Sequence, residues 1–176
     1  MMDTTRRYDV KLNIYDIWPT SYEQFGVAHV GVLVGDVEYA FGIRGIYKEL
    51  PKHSVCTLGG KFVPEVSIGS RTYAPEDIYA KFMHGKLGRM WRRGTYHLLR
   101  KNCITFSKWF TQNLVEGGGG ENLWPIALNR LIANLRAIPE ALLEAAKVPG
   151  LIVHAKMDEI RSRLEDMASH GRKIKR

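Results

Sequence analysis

The sequence predicts an α+β fold: a small antiparallel sheet packed with helices, followed by a helical C-terminal appendage. Three observations carry that expectation. Tyr8, Val10, Leu12 and Ile14 alternate with Asp9, Lys11 and Asn13, the two-residue period of a strand with one buried face. Gly35-Asp36 falls between two β-type runs and suits the type II′ turn of an antiparallel hairpin. Cys103, Phe106, Phe110 and Leu114 recur at three- and four-residue spacing, which is one face of a helix. At 176 residues with 45% hydrophobic content, the chain supports one cored domain and some extra length.

Trp18-Pro19-Thr20-Ser21 closes the first strand. A second runs from Val27 to Val34, and a third from Val37 to Phe41 stops at Gly42. Ile43 to Arg71 is rich in Gly and Pro and yields one element, a turn at Gly59 to Pro64 leading to a short edge strand. Pro75 suits the first position of a helix with Ile78, Phe82 and Met83 on its apolar face, ended by Gly85 or Gly88. Tyr96 to Leu99 is a short β-type run that turns helical at Asn102. Gly117 to Gly120 stops that helix and forms a flexible joint. Trp124-Pro125 opens another, with Leu128, Leu131, Ile132 and Leu135 on one face. Residues 1–138 are read as the folded domain and 139–176 as a helical, basic extension. There Val153, Met157, Ile160, Leu164 and Met167 form a heptad seam, so 151–169 could pack back on the domain, dimerise or take a partner helix.

Composition excludes several classes. Met1 to Arg7 is polar, so no signal peptide is expected, and no stretch reaches the roughly 18–20 apolar residues of a membrane span. Two cysteines, Cys56 and Cys103, are too few for a disulfide framework. The expectation is a soluble protein of a reducing compartment, cytoplasmic or nuclear. The net charge is +8, and seven basic residues with no acidic one lie between Lys81 and Lys101. Such a run either solvates a surface or docks something acidic; without a nucleic-acid motif, RNA or DNA is not the expected partner. No His/Cys cluster has zinc-ligand spacing, and neither a metal nor another cofactor is expected.

The candidate chemistry gathers at one place. Asn102 is a good N-cap, which sets Cys103 in the first helical turn, where free N–H groups and the helix dipole favour a thiolate. A cysteine at that place also packs well as a small hydrophobe. Upstream, His29 lies in the second strand beside Ala28 and Gly31, small residues that leave room above the backbone. Cys56 has no histidine or acid at useful spacing and is read as incidental.

These residues carry a resemblance. His29-Val30-Gly31-Val32, Glu38-Tyr39-Ala40-Phe41-Gly42, Tyr96-His97-Leu98-Leu99 and Asn102-Cys103 together resemble the PPPDE family of permuted papain-fold peptidases, which includes the desumoylating isopeptidases. Val10 to Asp16 is similar to that family's first strand, and Trp124-Pro125 with Asn129-Arg130-Leu131 to its post-catalytic element. The resemblance covers roughly Tyr8 to Leu135. It implies a permuted papain-like fold and a cysteine hydrolase with His29 and Cys103 as its dyad. The chain departs from the family pattern at Ile104 and Thr105, where asparagine and often histidine follow the cysteine, and at Val30, where a small or hydroxyl residue follows the histidine.

Three functions are consistent with this. One is an isopeptidase that removes ubiquitin or a ubiquitin-like modifier from lysines, with Arg92, Arg93, Arg100 and Lys101 as candidate substrate-binding residues. Another is acyl or thioester chemistry on a lipid or acylated protein, because the lecithin:retinol acyltransferase-like family shares the order of His before Asn-Cys. The last is a non-catalytic binding module. Asp16 and Asn13, on the first strand, are the candidates to orient His29 in the manner of a triad's third group.

Overall fold

The computed structural model of the chain describes residues 6–16, 28–53, 61–71, 77–78, 80, 86–115 and 123–137. Five strands form one antiparallel sheet: β1 (Tyr8–Asp16), β2 (Ala28–Val34), β3 (Val37–Gly42), β4 (Gly45–Glu49) and β5 (Lys61–Arg71). Their order across the sheet is β4-β3-β2-β1-β5. Three described helices accompany it: α1 (Lys86–Met90), α2 (Cys103–Leu114) and α3 (Ile126–Ala137). The architecture is α+β, as the sequence predicts.

The hairpin of β2 and β3 turns at Gly35, whose φ of 61° is the left-handed conformation that the first position of a type II′ turn requires. Val34 pairs with Val37 across it. Register puts Val10 opposite Val34, Leu12 opposite Val32 and Ile14 opposite Val30, so these six side chains share one face. They form the core with Tyr39 and Phe41 and with Phe106, Phe110 and Leu114 of α2. Each such fully buried side chain contributes about 1.5–3 kcal/mol.

The expectation of one buried face on β1 needs correction, because Asn13 and Tyr15 on its other face are completely buried too. A polar residue in an alternating strand reads as solvent-facing unless its partner is visible, and these partners lie on β3. The middle region is also richer than its composition suggested. β4 was unpredicted, and β5 is an edge strand as expected but eleven residues long. It carries Pro64 and meets β1 with two register slips. An edge strand tolerates proline because one side of its backbone has no ladder to complete.

Tyr96 to Leu99 is not a strand. His97 N–H donates to Lys101 O at 2.9 Å, and Arg100 N–H and Lys101 N–H return to His97 O at 3.1 and 2.8 Å, which closes a compact turn before α2. α1 runs through Gly88 instead of stopping there. α3 follows Pro125, whose carbonyl accepts from Leu128 and Asn129 N–H. It buries Leu128, Leu131 and Ile132, with Leu135 packed against them, the face that periodicity predicts. Most of the helix expected after Pro75, together with Cys56, the glycine run and the extension 139–176, lies outside the described residues. Among the described residues no helix is long and apolar enough to cross a membrane.

Candidate active site

The turn before α2 sets up the helix start. Asn102 Oδ1 accepts from Thr105 N–H at 3.0 Å, and Thr105 Oγ1 accepts from Asn102 N–H at 2.9 Å, a reciprocal capping box. Asn102 Nδ2 also donates to Leu98 O at 2.7 Å and so locks the preceding turn onto the cap. Thr105, one of the two departures after the cysteine, therefore serves the helix start. Ile104, the other, is buried in the hydrophobic core.

Cys103 is the first residue of α2, with 4% of its surface exposed. Its Sγ lies 3.9 Å from the carbonyl oxygen of Ala28, the residue before His29. One turn later, Ser107 Oγ donates to Val30 O at 3.0 Å. β3 pairs with β2 only at Val32, Leu33 and Val34. Over the first half of β2 the place of a neighbouring strand is thus taken by α2, whose side chains meet the carbonyls of Ala28 and Val30. That substitution brings the helix start to the strand segment that carries His29.

His29 is buried and pairs in register with Tyr15. The two rings lie 5.8 Å apart between centroids, inclined at 30°. On the same face sits Glu38, fully buried. Its Oε2 accepts from Asn13 Nδ2 and from the Tyr15 hydroxyl, both at 2.6 Å, and from Lys52 N–H at 3.2 Å. Lys52 has a left-handed φ of 66°, which turns that amide inward. Burial pushes the Glu38 carboxyl above the usual carboxylate range against the pull of these donors. Burial and the adjacent Glu38 also hold the Tyr15 hydroxyl well above the ordinary phenol value, so it remains a donor.

The room that Gly31 was expected to leave above the backbone is filled. A Cβ there would overlap the Glu38 carboxyl. Of the two candidates for orienting His29, Asn13 binds Glu38 and Asp16 pairs in register with Ala28. The residue facing His29 is Tyr15, which sequence reasoning passed over. Glu38 stands in the sequence as the lone charge in an apolar run, but its role shows only once its partners on β1 are in place.

Arg92, Arg93 and Arg100 are exposed, the first two in the turn before Gly94. Arg92 also bridges to Gly45 of β4. Lys101 differs from them, since its Nζ lies 5.3 Å over the Trp91 ring and its side chain is half-buried.

Residues 8–134 match the PPPDE putative peptidase domain. The chain is 30% identical to a desumoylating isopeptidase 1 homolog of Caenorhabditis elegans, over 90% of its own length and 49% of the relative's. It is 31% identical to a DeSI-like protein of Arabidopsis thaliana, over 56% of its own length and 46% of that protein's. The chain spans about half the length of these curated relatives. With the domain match running through all five strands and most of α3, the chain belongs to the PPPDE putative peptidase family.

Proposed function

We propose that the chain is a cysteine isopeptidase that removes ubiquitin or a ubiquitin-like modifier from protein lysines, with Cys103 as nucleophile and His29 as acid and base. The observation that carries this is the placement of Cys103: it begins a capped helix, and its Sγ meets the backbone of the strand residue next to His29. A helix start favours a thiolate, and a neighbouring imidazolium strengthens that preference. The name of the worm relative points to modifier conjugates as the substrate class.

In this mechanism the Cys103 thiolate attacks the isopeptide carbonyl, and the oxyanion is met by backbone N–H groups at the start of α2. Collapse breaks the C–N bond as His29 imidazolium protonates the departing lysine amine, leaving a thioester. Neutral His29 then takes a proton from water, hydroxide adds to the thioester, and the thiolate is released. The exposed guanidinium groups of Arg92, Arg93 and Arg100 supply a docking face for an acidic modifier surface.

Hydrolysis of modifier-linked substrates, and labelling by modifiers carrying a C-terminal electrophile, test this reading. Cys103→Ala and His29→Ala are each expected to abolish cleavage with the fold retained, and Cys56→Ala to leave it unchanged. The double variant should be little worse than either single one, because the two residues act as a unit. Substantial cleavage by Cys103→Ala would end the assignment. Turnover of acyl thioesters without any labelling by modifier probes would move the activity to acyl chemistry.

A further inference from the structure

The hydrolytic steps above use no group of the buried network beside His29. We propose that Tyr15 is a positioning residue for His29, and that Glu38, seated in the notch above Gly31, fixes Tyr15 in that role. The proposal rests on the dyad reading and adds to it the means by which the imidazole is held.

Four observations carry it. Register sets Tyr15 directly across from His29, and the rings stand 5.8 Å apart at 30°, so the phenol forms one wall of the space in which the imidazole can turn. The far end of Tyr15 is held in place, because its hydroxyl donates to Glu38 Oε2 at 2.6 Å. The same oxygen gathers Asn13 Nδ2 at 2.6 Å and Lys52 N–H at 3.2 Å, which ties β1, β3 and the segment after β4 to one atom. Finally, β2 carries no side chain at Gly31, two residues along from His29 on the same face. Any Cβ there would displace the Glu38 carboxyl.

A buried acid is a costly way to join strands, and an apolar residue of similar volume would do it at lower cost. What the acid adds is direction. A hydrogen bond fixes the angle of the Tyr15 ring where apolar packing alone would leave it looser. The charged and titratable groups facing Glu38 are Tyr15 from β1 and Glu49, its register partner on β4. Burial and Glu49 oppose a charge on Glu38, while the Tyr15 hydroxyl eases one by donating to it. Tyr15 itself is held protonated by burial and by Glu38, so it stays the donor of the pair while His29 exchanges protons. A catalytic base displaced by about 1 Å can lose up to about 100-fold in rate, so small angular control of this ring has kinetic weight.

The test uses the full chain and two readouts. One is kcat and KM on a modifier-linked substrate; the other is alkylation of Cys103 by iodoacetamide against pH, read by mass on the Cys103 peptide. Tyr15→Phe keeps the ring and removes only its tether. It is expected to lower kcat about tenfold with KM within about twofold, and to raise the pH midpoint of alkylation as the imidazolium partner loosens. Glu38→Leu should match it, whereas Glu38→Gln, which keeps an acceptor for Tyr15, should stay within about twofold of wild type. If Glu38→Leu does not fold, Tyr15→Phe and Glu38→Gln still decide the matter. Wild-type kcat and alkylation midpoint in Tyr15→Phe, with inactive Cys103→Ala and His29→Ala, would overturn the positioning role alone. Equal losses in Glu38→Gln and Tyr15→Phe would also overturn it, because an acceptor kept for the Tyr15 hydroxyl would then not preserve the rate. Activity persisting in Cys103→Ala would instead remove the dyad beneath it.

Discussion

Glu38 is fully buried with a carboxyl held above its ordinary range, and that has a consequence for stability. The folded state keeps the proton at pH values where the unfolded chain has released it. Stability therefore falls as pH rises from the unfolded pKa through the folded one, and is flat below and above that window. Glu38→Gln removes this dependence. Urea melts across pH should show wild type losing stability relative to Glu38→Gln as pH climbs out of the ordinary carboxylate range; a gain would contradict the raised pKa. The sequence marks Glu38 as unusual but not what it does, since Asn13 and Tyr15 approach it only once β1, β2 and β3 are paired. Thr105 carries a second role that the family comparison alone does not show. It departs from the family pattern after the cysteine, and it is also the returning half of a helix cap.

Among elements, α2 was the most legible. Asn102 and the spacing from Cys103 to Leu114 locate its start and its buried face, because capping and amphipathic period are local properties of the chain. Its end falls at Leu114, before the glycine run expected to stop it. Thr105→Val tests the cap. The hydroxyl bonds to Asn102 disappear at nearly constant volume, so denaturant melts should show a loss of about 1 kcal/mol. A variant as stable as wild type would leave Asn102 as sole cap. The hairpin was equally legible, since one glycine decides its turn. β4 and β5 were not, because their pairing depends on distant strands and β5 breaks its own alternation with register slips. Nor could the sequence reveal that α2 stands in for a strand along the first half of β2. That arrangement arises because β3 stops pairing at Val32, which no local pattern records.

Across the whole molecule, charge is uneven, and Arg92, Arg93 and Arg100 present exposed cations near the segment that leads into α2. Reversing Arg92 and Arg93 to Glu should raise KM for a modifier-linked substrate and flatten its salt dependence, since such charges act mainly on encounter. Turnover of a short neutral thioester should be unchanged. Equal losses on both substrates would mean that the dyad had been disturbed, and no loss on either would leave the run as ordinary surface. The two rims of the sheet bear on a separate matter, self-association. A sheet rim offers unpaired backbone groups to any straight strand of another copy. Here β5 meets even its own neighbour with two slips and interrupts its donors at Pro64, and β4 is five residues long with Arg92 already bridged to its first. Among the described residues, neither rim presents a long uniform row of backbone groups, which is the arrangement that discourages a second copy from adding a strand edge to edge.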